Sequence, residues 1–215
     1  MLRILLADDH SIVRRGLKEL LEEHVGWSVC AEAATGREAV EMAIEHRPQI
    51  AVLDLSMPEL NGLEATRRIR QAVPETEVLV FTMHESDELV REVLAAGARG
   101  YLLKSDAADQ LVPAVESLAK HRPFFSGRVS EVVLDGFLKA GGVEGASPAM
   151  QRLTSREREI VQLLAEGRSN KQIARLLDLS VKTVETHRAA VMRKLELESL
   201  PDLVRFAIRN QIIQP

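Results

Sequence analysis

Two periodicities divide this chain. Over the first 120 residues, short apolar runs alternate with stretches in which apolar side chains return every three or four positions. The runs are LRILLA (2–7), SVCAEA (28–33), IAVLD (50–54), EVLVFT (77–82) and GYLL (100–103). Between them lie amphipathic stretches such as SIVRRGLKELLEEH and GREAVEMAIEH. A near-continuous apolar run suits a strand buried on both faces, and a helix after each strand predicts βα units around a parallel sheet. Five such strands predict an α/β fold, a doubly wound sheet of the flavodoxin-like kind, with its site at the carboxyl ends of the strands.

The strand rhythm fades after residue 120. SEVVLDGFLKA reads as a short helix, and GGVEGASPA (141–149) as a flexible linker. The last 65 residues hold no strand pattern. LTSREREIVQLLAEG carries Thr154 and Glu157 at capping-box spacing and closes at Gly167. SNKQIARLLDL starts from its own N-cap, Ser169. SVKTVETHRAAVMRKL follows after a Leu-Ser corner, and LPDLVRFAIRN completes an all-α four-helix unit. Two helices joined by so short a turn form a helix-turn-helix candidate. The expected parts are residues 1–120, a linker with a short helix over 121–150, and a helical domain over 151–215.

Charge separates these parts. Residues 1–120 hold 13 basic and 21 acidic side chains, net −8; residues 121–150 are balanced; residues 151–215 carry +4. An acidic front and a basic back predict different partners, a polyanion for the back. Aromatic residues are only 3% of the chain, so a base-stacking surface for single strands is poorly supported. No run approaches the ~18 apolar residues of a membrane span, and MLRILLADD is too short an apolar start for a signal peptide. A single cysteine, Cys30, rules out an internal disulfide and reads as an inert thiol in a strand. The chain is expected to be cytoplasmic.

The chemistry gathers at strand ends. Asp8 and Asp9 close the first run, Asp54 the third, Thr82 the fourth, and Lys104 follows the fifth. In a parallel sheet these positions share one edge. Two carboxylates ~5 Å apart repel by about 3 kcal/mol at an effective dielectric of ~20, so they stay ionised only beside a cation. Oxygen ligands without a His or Cys cluster suit Mg²⁺. A carboxylate held by Mg²⁺ and a fixed lysine can attack phosphorus.

ILLADDHSIVRRGL, AVLDLSMPELNGLEATRRIR, VLVFTMHE and AAGARGYLLKSD resemble the receiver domain of bacterial two-component response regulators. The resemblance implies that Asp54 accepts a phosphoryl group from a sensor histidine kinase. It implies that Asp9, Asp54 and the Ser56 carbonyl bind Mg²⁺, with Asp8 acting partly through water. Thr82 and Lys104 would bind phosphoryl oxygens, and Tyr101 would be the switch aromatic that rotates inward after phosphorylation. Many receivers carry a cis proline after this lysine; here Ser105 follows, and a non-proline cis bond costs ~3 kcal/mol. His84 is either a solvated loop residue or a screen against attacking water. His10 reads as a helix opening, and Trp27 as packing at a strand start.

LTSREREIVQLLAEGRSNKQIARLLDLSVKTVETHRAAVMRKLEL resembles the LuxR-type helix-turn-helix, so the whole chain is similar to NarL/FixJ response regulators. In its third helix Val184, Val191 and Leu195 share one face. Lys182, Glu185, Thr186, Ala189 and Arg193 share the opposite one, whose mixed polar character suits a major groove. Lys171, Thr183, His187 and Arg188 are candidates for backbone phosphates. The expected partners are a sensor kinase, double-stranded promoter DNA and a second copy when phosphorylated, with the transcription machinery a further candidate. Two readings compete with this regulator: an aspartyl-phosphate phosphatase, which lacks here a second acid two residues past Asp54, and a constitutive DNA binder with an idle receiver.

Overall fold

The computed structural model describes residues 1–84, 86–127, 129–131 and 152–213. Strands β1 (Leu2–Ala7), β2 (Trp27–Ala33), β3 (Ile50–Leu53), β4 (Glu77–Thr82) and β5 (Gly100–Leu103) alternate with helices α1 (Ser11–Glu22), α2 (Gly36–His46), α3 (Gly62–Ala72), α4 (Asp87–Ala95) and α5 (Ala107–Ala119). The strand order is β2-β1-β3-β4-β5-β6, and every neighbouring pair is parallel. The five predicted strands lie within one residue of their expected limits, β2 starting at Trp27 and β3 stopping just before Asp54. The sixth, β6 (Phe124–Phe125), was not foreseen. Two residues are too few to display a period, and only their pairing with Gly100 and Tyr101 reveals a strand.

β3 and β4 are buried at every position, which explains their unbroken apolar runs. Alternation along β1 feeds two cores. Leu5 and Ala7 pack with Ala39, Leu63 and Val93 from α2, α3 and α4, whereas Ile4 and Leu6 pack with Leu17, Leu21, Leu111 and Val115 from α1 and α5. Cys30 gives its thiol to the Ile4 carbonyl at 3.4 Å, and burial pushes that thiol's pKa up.

Residues 129–131 are helical and Val129 is buried in the first core. Most of SEVVLDGFLKA and the 141–149 segment lie outside the described residues. The chain resumes in α6 (Ser155–Ala165), α7 (Asn170–Leu176), α8 (Val181–Lys194) and α9 (Leu200–Arg209). Thr154 and Glu157 close the expected capping box, and Ser169 forms a second one with Gln172. Gly167 takes a left-handed φ of 80° just past α6, the conformation that favours glycine there. Ile160, Leu164, Ile173, Val184, Val191, Leu203 and Ala207 build a separate small core. Among the described residues no helix is long and apolar enough to cross a membrane.

The helical unit meets the sheet unit through α6. Glu159, fully buried, accepts from Arg37 at 2.6 Å, Arg68 at 2.7 Å and Arg156 at 2.8 Å. Burial opposes ionisation of Glu159, but the bonds from Arg68 and Arg156 outweigh it and hold its pKa below the ordinary glutamate value.

Candidate functional site

Three strand ends converge on one ammonium group. Lys104 Nζ lies 2.6 Å from Asp8 Oδ2 and 3.0 Å from Asp54 Oδ2. β1 and β3 are hydrogen-bonded neighbours, and Asp54 N donates to the Ala7 carbonyl at 2.8 Å, so the ladder runs on to Asp54 itself. The Leu55 amide donates to Asp54 Oδ1 at 2.8 Å and fixes the rotamer. Asp8 and Asp54 are buried, whereas the Asp9 side chain is 34% exposed at the mouth. Burial raises the pKa of Asp54, and the Asp8 carboxylate adds to this against the opposing pull of Lys104. At Lys104 burial acts to lower the pKa, but the two carboxylates outweigh it and keep the amine charged.

The donors fit a hard divalent cation. One ligand atom each from Asp8, Asp9, His10 and Asp54 lies within 4.8 Å of the others. Carboxylate oxygens predominate and no thiol takes part, a set suited to magnesium more than zinc.

Thr82 and Tyr101 are connected through His84. Thr82 is buried at the end of β4, and its Oγ1 accepts from the His84 amide at 3.2 Å. The Tyr101 hydroxyl donates to the His84 carbonyl at 2.8 Å, and the His84 Nε2 lies 3.2 Å from Ser56 Oγ. His84 therefore ties the loop after β4 to that after β3, more than a solvated loop histidine would. Tyr101 is wholly buried in this structure: the inward position that the sequence reading reserves for the phosphorylated state is the one observed. Lys104 and Ser105 enter a 3₁₀ turn, Lys104–Asp106, and no described peptide bond is cis. A trans peptide suffices to aim the lysine.

Close packing fixes the loop that follows Asp54. A Cβ on Gly62 would lie 2.0 Å from the Asp54 carbonyl oxygen, and one on Gly36 would lie 1.8 Å from that of Leu60. Both glycines admit backbone where any side chain would collide. Gly62 N donates to the Leu55 carbonyl at 2.9 Å and closes the loop.

In the helical domain, α8 divides into the buried and exposed faces that its periodicity predicts. Val184 and Val191 are fully buried and Leu195 packs against the same core. Lys182, Glu185, Thr186, Ala189 and Arg193 are all exposed on the opposite side, with Lys171 exposed on α7. Thr183, His187 and Arg188 are half-buried on the flanks. Thr183 is partly spoken for by Ser180 Oγ at 2.8 Å, and Thr186 Oγ1 donates to the Lys182 carbonyl at 3.0 Å.

Residues 4–116 match the family model of the response regulator receiver domain, and residues 151–207 match that of bacterial regulatory proteins of the luxR family. The chain is a LuxR-family response regulator. The oxygen regulatory protein NreC of Staphylococcus epidermidis is 37% identical over 217 residues, covering 99% of this chain and 100% of that protein. The RcsB response regulator of Salmonella typhimurium is similar in structure, with a TM-score of 0.60 at 26% identity over 96% of this chain and 98% of RcsB. RcsB in a complex with DNA gives 0.58 at 25% identity, over 95% of this chain and 96% of RcsB. The family membership makes this response regulator a receiver joined to a LuxR-type DNA-binding domain, controlling transcription rather than turning over a substrate.

Two contributors to the response regulator's pocket escape a sequence reading. His10, expected only to open α1, lies with Nδ1 2.7 Å from Asp9 and 3.3 Å from Asp8. Arg14 donates to the Asp8 carbonyl at 2.6 Å from the next turn. His10 follows the acids directly, so adjacency was an available signal; Arg14 offers none, since its contact is with a backbone carbonyl six residues away, which no side-chain pattern marks.

Proposed function

We propose that this response regulator takes a phosphoryl group on Asp54 from a sensor histidine kinase and thereby controls its binding to promoter DNA. The contact of Lys104 with both Asp8 and Asp54 carries this reading, because it gathers a nucleophile, a metal-ligand acid and a fixed cation from three strand ends. In the transfer, an Asp54 oxygen bonds to phosphorus as the nitrogen–phosphorus bond of a phosphohistidine breaks, and the imidazole keeps the electron pair. Lys104 and the Thr82 hydroxyl take phosphoryl oxygens. Asp9, Asp54 and the Ser56 carbonyl would hold Mg²⁺, with Asp8 contributing through water. Bound there, the ion would supply charge neutralisation for the transferring group. Phosphorylation adds negative charge and acceptors at Asp54, so Thr82 turns from His84 and releases the loop that Tyr101 braces.

On the effector side, Lys182, Glu185 and Thr186 read base edges in a major groove, with Ala189 and Arg193 completing that face. Lys171, Thr183, His187 and Arg188 hold phosphates. RcsB, a structural relative, forms a complex with DNA, which supports this use of the helical domain. A homodimer on paired half-sites compensates for a domain charge of only +4. The cytoplasm is the compartment where these partners meet.

The test is phosphorylation by a small-molecule donor with Mg²⁺, read by intact mass, on the full chain and on Asp54→Asn. One added phosphoryl group on the parent chain and none on the variant is expected. Labelling of the variant would overturn the assignment.

A further inference from the structure

The peptide bond joining Asp8 to Asp9 lies beyond the sheet. β1 stops at Ala7, and the Asp8 carbonyl is bound by a side chain: Arg14 Nη1, in the first turn of α1, donates to it at 2.6 Å. The other polar groups of Asp8 are fixed as well. Its amide donates to the Ala33 carbonyl at 3.2 Å, its Oδ1 accepts from the His10 amide at 2.8 Å, and its Oδ2 accepts from Lys104 at 2.6 Å. A peptide unit is planar, so holding the Asp8 carbonyl also sets the direction in which the chain enters Asp9. One plane thus governs how the two carboxylates lie relative to each other.

Arg14 is itself held. Its Nε lies 3.8 Å from Glu32 Oε2 on β2, and Glu32 Oε1 accepts from Lys18 at 2.9 Å, one turn further along α1. The Arg14 side chain is largely buried, whereas its neighbour Arg15 is exposed. Two effects of Arg14 on a metal in the pocket have opposite signs. As a charge, a guanidinium near the acids repels a divalent cation. As a donor, it keeps the acids in place, and groups that orient metal ligands are commonly worth about 10–100-fold in affinity. The second effect outweighs the first, because the charge faces a carbonyl on one side and is countered by Glu32 on the other.

We infer that Arg14 is a positioning residue for the metal site: by fixing the Asp8–Asp9 peptide it presents the two carboxylates together, and its loss weakens metal binding even though a repelling charge is removed. The inference rests on the proposed use of Asp8 and Asp9 for Mg²⁺. Arg14 acts through the Asp8 backbone and not on the transferring group. Its bond leaves the contact of Lys104 with Asp54 unchanged. Affinity for the metal and the rate of transfer once the metal is bound are therefore separable.

The experiment uses the full chain, with Mn²⁺ as the probe, since it also takes oxygen ligands and its free ion is counted by electron paramagnetic resonance. Mn²⁺ binding is compared among the parent, Arg14→Met, Arg15→Met and Asp54→Asn. Phosphorylation by a small-molecule donor is titrated with Mg²⁺ in the first three. Arg14→Met is expected to weaken Mn²⁺ binding by about tenfold and to raise the Mg²⁺ concentration for half-maximal phosphorylation by the same factor. Its rate at saturating Mg²⁺ should stay within about twofold of the parent's. Arg15→Met removes an equal charge one residue away and should leave both quantities unchanged, while Asp54→Asn should weaken Mn²⁺ binding and so mark the pocket. Unchanged or tighter Mn²⁺ binding by Arg14→Met overturns the inference, as does an equal shift in Arg15→Met or Mn²⁺ binding indifferent to Asp54→Asn. A merely structural role would lower the unfolding midpoint of Arg14→Met and leave its metal affinity alone. Should Arg14→Met fail to fold, Arg14→Lys decides. It keeps the charge, but its nitrogen ends one atom short of Arg14 Nη1, so a weakening of about threefold is expected and parental affinity overturns the inference. A parent chain that binds Mn²⁺ in the pocket yet takes no phosphoryl group would defeat the proposed function, while the Mn²⁺ measurements would still judge Arg14.

Discussion

The Lys104 ammonium stands 3.0 Å from the Asp54 carboxylate. The same nitrogen binds Asp8, so it neutralises two buried acids that would otherwise repel. Removing one partner of a buried ion pair leaves uncompensated charge, at a cost of about 3 kcal/mol. Lys104→Ala should lower stability at neutral pH by roughly that amount in urea unfolding. Phosphorylation of Asp54 should slow by at least about tenfold, in line with loss of one preorganised charge at the transferring group. Parent-like phosphorylation by the variant would remove Lys104 from the mechanism.

Gly62 offers a sharper test of loop geometry. Its missing Cβ would lie 2.0 Å from the Asp54 carbonyl oxygen, a backbone atom that cannot yield without moving Asp54. Gly62→Ala should destabilise by about 2 kcal/mol, the scale of overpacking in a filled core, and should impair phosphorylation as well. Gly16, inside α1, has open space where its Cβ would go. Gly16→Ala should stabilise by about 0.5–1 kcal/mol through helix propensity alone. Thermal and urea unfolding of the two variants should therefore move in opposite directions.

The Tyr101 hydroxyl bond to the His84 carbonyl, 2.8 Å long, joins β5 to the loop after Thr82. Tyr101→Phe keeps the buried ring and deletes that bond. A loss of about 1 kcal/mol is expected. An unchanged midpoint in denaturant would mean that the carbonyl finds another donor.

Acid should release the domain contact at Glu159. Its pKa is depressed in the folded chain, so the stability it contributes is complete above the pKa of an unfolded glutamate and is lost as pH falls through the lower folded value. The stability difference between the parent and Glu159→Gln should be constant above about pH 5 and shrink on acidification below about pH 4. Urea unfolding of both proteins across that range measures it. A difference that grows on acidification would reverse the assigned sign.

Lys182→Ala combined with Glu185→Ala should lose operator preference while Asp54 still accepts a phosphoryl group. Each lost base contact is worth about 1–3 kcal/mol of discrimination. Footprints identical to those of the parent would place the reading face on another helix.

Much of this protein is local in its chain. The alternation of apolar runs with amphipathic stretches gives the βα succession, because burial on both sheet faces demands unbroken apolar strands. Thr154 with Glu157 and Ser169 with Gln172 announce helix starts through contacts that span three residues. The opposed faces of α8 follow from 3.6-residue periodicity. Even the acidic pocket is readable, since parallel strands place Asp8, Asp54 and Lys104 at one edge once the sheet is accepted. β6 was not readable, because a two-residue strand exists only through its partner β5.

The linear order of residues therefore determined the elements other than β6 and the groups offered at the strand ends, through short-range periodicity and parallel topology. Folding in three dimensions settled the rest. Tyr101 is inward, His84 bridges two loops, and Gln162 reaches Met57 and Asn61 from a helix about one hundred residues away. Those contacts depend on how two separately packed cores meet, and no periodicity encodes the meeting of surfaces so distant in the chain.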